Sequence, residues 1–458
     1  MRVIVCGAGQ VGYDVAAYLA REDNDVTVVD QDPTLVARVN DALDAKGVLG
    51  HASSPDVLAA AGAAEADLIL AVTRQDEVNM VACQVAHSLF GVPKKIARVR
   101  LPAYLDPAHS NLFSRAHMPI DVLISPEVAI AEDIDERLSV PGTSLVIPLA
   151  GGAAYLLGVV CRADCPLLHT PLMQIPILFP DLALHILALV QGGRPMPTGP
   201  ASQIGVGDTV FFVVAAAHRV RALEAFGRRD PRARRVLIAG GGNIGAALTR
   251  TLRERERQYD LTIVEANEAR AQVLSETFSD LIVLHGSSLE HSILEEASVG
   301  NVDTIVAVTS SDETNILASL LAKQCGCERA LALVAGASYA SLVGSLGIDA
   351  LISPRATLVT QIMRHVRRGR IRAVHTLREG FAEIMEVEVV EGGPLAGHSS
   401  GDLPLPRAVA LTAIIRGTDV LMPVPDLVLR PGDLAILMVP QGQARAVEKA
   451  LHVRVSLF

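Results

Sequence analysis

The chain has 458 residues, half of them hydrophobic but only 3% aromatic, with no Trp and a formal net charge of −10. That length exceeds what one ordinary core fills and predicts three or four domains, while an acidic balance without a long basic run excludes sequence-wide attraction to DNA or RNA. Six scattered cysteines (Cys6, Cys83, Cys161, Cys165, Cys325 and Cys327) form no regular disulfide framework, which fits a reducing cytosol.

The first thirty residues organise the rest. Val3-Ile4-Val5-Cys6 reads as a buried strand that runs into Gly7-Ala8-Gly9-Gln10-Val11-Gly12 and then into a helix from Tyr13 to Arg21. Asp25 to Val29 reads as a second strand ending at Asp30. Strand, Gly-x-Gly-x-x-Gly, helix, strand, acid is the order of a dinucleotide-binding unit. Gly7 permits the tight turn, Gly9 lets backbone approach a pyrophosphate, and Gly12 allows helix and strand to pack closely. The helix N-terminus offers unpaired N–H groups to phosphates. Asp30 can accept from ribose hydroxyls, and its charge repels a 2′-phosphate, which favours NAD(H) over NADP(H).

The following elements alternate. Pro33 to Asp44 has helical spacing, Gly47 to Gly50 looks like a third short strand, and Ser54 or Asp56 begins another helix through Ala61. Leu68 to Val72 is a continuous apolar strand ending at Thr73, and Asp76-Glu77-Val78-Asn79 opens a helix to about Phe90. Lys95 to Arg100 is the next strand, and Ile120 to Pro126 closes the unit. Such alternation predicts an α/β, doubly wound parallel sheet. The uncharged run from Val140 to Cys161 is broken by Pro141, Gly142, Pro148, Gly151 and Gly152, so it reads as short strands and loops, not a membrane span.

The second half repeats the first. Arg235 to Ala239 leads into Gly240-Gly241-Gly242-Asn243-Ile244-Gly245, a helix, and a strand ending at Glu265, at an offset of 240 − 7 = 233. Val306 to Thr309 repeats Leu70 to Thr73, Asp312-Glu313-Thr314-Asn315 repeats Asp76 to Asn79, and Ile352-Ser353-Pro354 repeats Ile124-Ser125-Pro126. Matched landmarks at nearly constant offset mean duplication. A helix follows each Ser-Pro (Glu127 to Leu138 and Ala356 to Gly369), and then a smaller unit rich in β-branched residues. Each ends on a Gly-Asp turn feeding an apolar strand, at Gly207-Asp208 and Gly432-Asp433. The basic segment at 227–233 reads as a solvated linker.

With these motifs placed, the sequence resembles the TrkA family, the cytosolic regulatory subunits of bacterial Trk potassium-uptake systems, built from tandem RCK modules. The resemblance implies two Rossmann-like parallel-sheet domains (1–125 and 234–353), each followed by a small α+β domain (140–226 and 371–458). It implies a binding and switching protein that forms a homo-oligomeric ring, four chains in the family, beneath a membrane channel subunit of the TrkH or TrkG kind. That places it, peripherally, on the cytoplasmic face of the bacterial inner membrane. NAD(H), and ATP or ADP, would bias the ring. The first site would use Gly7, Ala8, Gly9, Gln10 and Val11 on phosphates, Asp30 on the ribose and His51 beside adenine. Thr73 and Arg74 would lie at the crevice, with Arg98 reaching phosphates or a second ribose, or else pairing with an acidic neighbour. The second site would use Gly240, Gly241, Gly242, Asn243 and Ile244, with Glu265 on the ribose, then Ser287, Thr309 and Ser310. Aligning Tyr104 with Tyr339 puts Leu333 opposite Arg98 and Ala335 opposite Arg100, so the second site is expected to bind NAD(H) less tightly or to prefer another nucleotide.

Other readings are weaker. Asp76-Glu77 and Asp312-Glu313 read as helix caps rather than acid/base pairs. Cys161, Cys165 and His169 lack regular zinc spacing and a fourth ligand. An NAD-dependent oxidoreductase is the rival class, but it usually adds one distinct catalytic domain, and here a second nucleotide unit follows. A DNA-binding regulator would need a helix-turn-helix, and none is evident. The apolar stretch Ile175 to Val190 reads as a dimer interface.

Overall fold

In the computed structural model, strands β1 (Arg2–Cys6), β2 (Asp25–Asp30), β3 (Lys46–Leu49), β4 (Leu68–Ala71), β5 (Lys94–Arg98) and β6 (Val122–Ile124) pair in parallel in the order β3-β2-β1-β4-β5-β6. The structure describes residues 1–458 except 22–23, 180–181, 193, 197, 229–232, 255–258, 337–338, 340–345, 367–370, 378–380 and 452–458. The strand order reverses between β1 and β4, where the glycine turn follows β1. β4 is buried along its whole length, as a continuous apolar run in a doubly covered sheet must be.

A five-stranded antiparallel sheet follows. Its strands β7 (Leu145–Leu149), β8 (Ala154–Val160), β9 (Leu184–Gln191), β10 (Arg194–Met196) and β11 (Thr209–Ala215) run in the order β10-β9-β11-β8-β7. The apolar run at Val140 thus becomes two short strands joined by a turn at Gly151. No helix among the described residues is long and apolar enough to cross a membrane.

The second half repeats both sheets. β12 (Arg235–Ala239), β13 (Asp260–Glu265), β14 (Ile282–His285), β15 (Thr304–Ala307), β16 (Arg329–Leu333) and β17 (Ala350–Ile352) form a parallel sheet in the order β14-β13-β12-β15-β16-β17. β18 (Ile371–Thr376), β19 (Ala382–Glu388), β20 (Ala410–Arg416), β21 (Asp419–Leu421) and β22 (Leu434–Pro440) form the last sheet, in the order β18-β19-β22-β20-β21. Read from opposite edges, both small sheets place their five strands in the same succession, first-second-fifth-third-fourth. Duplication therefore extends to the small domains.

The chain resolves into two compact units, Met1–Ala129 with Arg355–Arg368, and Ile130–Pro354 with Gly369–Phe458. Neither unit follows the halves of the sequence. In the first, Leu358, Ile362 and Met363 of the helix Pro354–Val366 pack with Val3, Val5, Leu70 and Ile96 of the first parallel sheet. In the second, Ile130, Ile134 and Leu138 of the helix Pro126–Ser139 pack with Val236, Ile238, Val306 and Leu331 of the second parallel sheet. The two helices are equivalent, since 358 − 130 = 228 and 362 − 134 = 228. Each sheet is thus covered by the helix that follows the other one. Among the ties that hold the helix Pro354–Val366 in the first unit, Arg355 Nε lies 2.7 Å from Oδ2 of buried Asp14 on the fingerprint helix, and Lys94 Nζ donates to the carbonyl of His365. Positions 367–369, where the helix expected from the sequence ends, lie outside the described residues.

Two further expectations change. The small sheets pack face to face through Leu156, Phe211 and Val213 on one and Ile384, Ala413 and Ile436 on the other. Leu187, Ala188 and Val190 belong to that layer, so much of the stretch read as a dimer interface is covered within the chain. The segment read as a solvated linker is anchored at its described ends: Arg228 is buried, with Nη2 donating to the carbonyl of Val160, and Ala233 is buried in the core. Positions 229–232 lie outside the described residues.

The helix exchange makes a locatable prediction. Ile134→Ala removes a fully buried side chain and should cost ~2–5 kcal/mol. Hydrogen exchange should then show lost protection in β12 to β17, and unchanged protection in β1 to β6. A second expectation concerns pH. Glu383 on β19 is buried, and burial, followed by Glu448 of the helix Ala444–Ala450, pushes its pKa from 4.5 to about 7. A carboxyl with a raised folded-state pKa contributes stability that is complete at low pH and lost as pH rises through the folded value. Thermal melts from about pH 4.5 to about pH 8 should show a falling Tm, and the slope should flatten in Glu383→Gln.

Candidate functional site

The first crevice is built on a close contact of backbone. Gly7 leaves β1 with φ +107°, and its N–H donates to the carbonyl of Val29 at 2.8 Å. A Cβ on Gly12 would lie 1.8 Å from the carbonyl oxygen of Gly7. Only glycine there lets the helix Gln10–Arg21 start directly over the strand end. A Cβ on Gly9 would meet nothing within 4 Å. The loop is therefore open where a phosphate would approach, with the helix N-terminus behind it. Gly9 and Gln10 are exposed, Val11 is half-buried, and Ala8 is buried in the core.

Asp30 ends β2 and grips this loop. Its Oδ2 accepts from the Ala8 N–H at 2.6 Å and its Oδ1 from the Asp32 N–H at 2.9 Å. An ionised carboxylate has about four lone-pair sites, so it can hold the loop and still accept from a ribose. His51 follows β3, is exposed, and lies 2.8 Å through Nδ1 from Ser53 Oγ. On the other side of the order reversal, Thr73 follows β4, with its backbone against Gly7, and Arg74 is exposed.

Arg98 is the distinctive group. It ends β5 and is only 8% exposed, and its Nε has no hydrogen-bond partner among the described residues. Burial and neighbouring Arg100 push its pKa down, against Glu127 and Asp76, which raise it. Arg100 does pair with an acid, its Nε 3.5 Å from Glu127 Oε1. A buried cation with an orphaned donor is matched by an anion.

The second crevice repeats the scaffold. Gly240 has φ +110°, a Cβ on Gly245 would lie 2.0 Å from the Gly240 carbonyl oxygen, and Gly242 is open in the same sense as Gly9. Asn243 and Ile244 begin the helix Asn243–Glu254. Glu265 accepts from the N–H of Gly241 at 2.7 Å and of Asn267 at 2.8 Å, as Asp30 does from Ala8 and Asp32. Ser287 takes the place of His51 and caps its own turn by accepting from the Leu289 N–H.

Three functions were not legible in the sequence. Asn79, fully buried, accepts from the N–H and hydroxyl of Thr73 at 2.8 and 2.7 Å and donates to the carbonyls of Thr73 and Arg98. Asn315 makes the same bonds to Thr309 and to the Leu333 carbonyl. Each asparagine clamps the exits of two strands, and its recurrence in the repeat was the available signal. Second, Asp76 accepts from the N–H groups of Arg100 and Leu101, and Asp312 from those of Ala335 and Gly336. They tether the loop after β5 or β16, whereas the side-chain cap of the helix Asp312–Gln324 is Ser311. These contacts also establish Leu333 as the counterpart of Arg98, and Ala335 of Arg100. Third, Arg270 donates from Nε to the Gly241 carbonyl at 2.8 Å. It has no counterpart in the first half, so no repeat announced it. Among the described residues no group of three or more His, Cys, Asp or Glu could hold a metal ion.

The TrkA-N domain model matches residues 3–126 and 236–354, the two parallel sheets with their crevices, and the TrkA-C domain model matches 384–452. The Trk system potassium uptake protein TrkA of Azorhizobium caulinodans is 44% identical over 458 residues, covering 100% of both chains. The chain belongs to the TrkA family. Another member, from Halomonas elongata, is 40% identical over 463 residues and also covers 100% of both chains. The RCK domain of GsuK, at TM-score 0.60 and 18% identity, covers 99% of this chain and 95% of that one. A GsuK channel bound to NAD has TM-score 0.59 and 17% identity, with coverage of 99% and 79%. These two likenesses establish the TrkA-family fold as that of RCK domains.

The asparagine clamp is testable. Asn79→Ala leaves the N–H of Thr73 and the carbonyl of Arg98 without their partner, at ~1–3 kcal/mol for each buried group. Differential scanning calorimetry should show a lowered Tm. Asn79→Asp, which keeps the acceptor and loses the donors, should fall between the two.

Proposed function

We propose that this chain is a nucleotide-sensing regulatory subunit of a potassium-uptake system, gating a membrane channel subunit of the TrkH or TrkG kind through the conformation of a homo-oligomeric ring. Arg98 carries the reading. It is a buried guanidinium whose Nε has no hydrogen-bond partner among the described residues, at the same end of the sheet as the open glycine loop after β1 and the Asp30 carboxylate that ends β2. When bound, the nucleotide supplies the phosphate charge and ribose hydroxyls that these groups are arranged to meet. Gly7, Gly9 and the helix N-terminus receive the phosphates, Asp30 orients the ribose and excludes a 2′-phosphate, and His51, Thr73, Arg74 and Arg98 line the crevice. NAD(H) fits this set, with ATP or ADP as the second ligand class.

No chemistry is asked of these residues. The ligand's differential affinity for two ring conformations shifts their populations, and the gate follows. The chain works at the cytoplasmic face of the inner membrane, held there by its partner, in a ring that the family builds from four chains. The relatives named as Trk system potassium uptake proteins support this assignment, and the shared fold of the NAD-bound GsuK channel supports NAD(H).

The test is capture from detergent-solubilised membranes with tagged protein, without nucleotide, with NADH and with ATP. One multi-span potassium-transport subunit should be recovered, in an amount that changes with nucleotide. Recovery of no such subunit under any condition, together with turnover of NADH, would overturn the reading in favour of an oxidoreductase.

Arg98→Leu installs the residue of the second crevice and should act with opposite signs on two measurements. Nucleotide affinity should fall about 10- to 100-fold, from the loss of a charge-assisted contact of ~1.5–3 kcal/mol. Ligand-free Tm should rise, because a buried cation that forms no ion pair within 4 Å among the described residues is removed.

A further inference from the structure

We propose that the second crevice is built for an adenosine nucleotide that ends at its phosphates, such as ADP, and that Arg270 is its phosphate-side cation. The inference rests on the nucleotide-sensing reading and deepens it by dividing the ligands between the two sites.

A dinucleotide-binding crevice has two halves, one on each side of the order reversal. In the first crevice, the far half, along β4 and β5, is cationic: Arg74, Arg98 and Arg100 leave those strands. In the second crevice the corresponding positions are Ser310, Leu333 and Ala335. The shared clamp contacts fix this correspondence, because Asn315 bonds the Leu333 carbonyl as Asn79 bonds that of Arg98, and Asp312 accepts from Ala335 as Asp76 does from Arg100. Leu333 is buried in the core. The half that would hold a second nucleoside phosphate has therefore lost all three arginines.

The adenosine half has gained one. Counting from the ribose acids, 270 − 265 = 5 and 35 − 30 = 5, so Arg270 stands where the first half has Leu35. Glu265 and Arg270 grip the same residue from both sides, the carboxylate at the N–H of Gly241 and the guanidinium Nε at its carbonyl. That single bond orients the guanidinium on the glycine loop. Its two terminal nitrogens make no hydrogen bond among the described residues. The fork is thus held at one corner, on the carbonyl of the residue that precedes Gly242, a glycine open to close approach, and its other donors are left for a phosphate on the loop. One crevice carries its cations on the far half and suits a dinucleotide. The other carries its cation on the adenosine half and suits a nucleotide that stops there.

The test uses full-length protein, with ADP and NADH as probes in isothermal titration calorimetry. Gly9→Val and Gly242→Val each place a side chain in open loop space, and circular dichroism melts confirm folding. The Gly9→Val protein should lose NADH binding and keep one ADP site. Gly242→Val should keep NADH binding and lose that ADP site. In the Gly9→Val background, Arg270→Gln should weaken ADP about tenfold without lowering Tm, and Arg270→Lys should recover part of the loss. Arg270 variants also give a readout that needs only the second loop, should a valine substitution fail to fold. Equal binding of NADH and ADP by the Gly9→Val protein would overturn the division of ligands, and an unchanged ADP affinity in Arg270→Gln would overturn the role of Arg270. Both results leave the sensing reading intact if Gly9→Val abolishes NADH binding to the first site. Absence of any nucleotide binding to the native chain would overturn both.

Discussion

A parallel sheet must be covered on both faces, and in this chain each of the two parallel sheets is covered in part by a helix that belongs in sequence to the other half. Ile130, Ile134 and Leu138 are buried on the second sheet, and Leu358, Ile362 and Met363 on the first. Apolar area removed from water contributes roughly 25 cal/mol per Å², so a helical face of this kind cannot be left exposed without a large loss. Neither half is thus a complete core by itself. The exchange also sets what lies beside the first crevice. Pro126 and Pro354 start the two helices, and the next residue of each makes an ion pair there: Glu127 with Arg100, and Arg355 with Asp14 on the fingerprint helix.

Within each crevice, scaffold and lining are separated. The scaffold is backbone held by polar side chains, buried Asn79 and half-buried Asp76 in one copy and buried Asn315 and half-buried Asp312 in the other, and the asparagine bonds have nearly identical lengths. The asparagines cannot be exchanged singly, because a buried donor or acceptor left without its partner is costly. The proposed lining is free of that constraint. It has diverged in charge from Arg98 to Leu333 and from Leu35 to Arg270. On the proposed division of ligands, duplication with a fixed scaffold and a variable lining would let one chain carry two sensors of different ligand class on one architecture.

Several local readings failed for a common reason. Asp76 looks like a helix cap because it opens a helix, yet its carboxylate turns to the loop after β5, twenty-four residues away in sequence. Arg228 looks solvated because it stands in a charged run, yet its guanidinium is buried on the carbonyl of Val160. Leu187 and Val190 look like an intermolecular surface, yet they meet the second small sheet of the same chain. In each case the residue type was read correctly as polar or apolar, and the partner came from a distant segment.

The amino-acid sequence by itself determined the repeat, the alternation of strands and helices, the glycine turns and the acids that end the second strand of each parallel sheet. All of these are set by local geometry: a positive φ, a Cβ that would collide within five residues, a period of side chains along one element. It also determined that the two helices after the Ser-Pro closures have an apolar face to bury. Only the tertiary structure decided on which sheet each is buried. The two parallel sheets are near copies, so an apolar face fits either one equally well by composition, and the choice rests on the path of the chain. The same holds for Arg98 and Arg270, whose charges are evident in the sequence. Burial with no hydrogen-bond partner for Nε among the described residues in one, and an anchoring bond to the Gly241 carbonyl in the other, arise only when separate strands and helices meet.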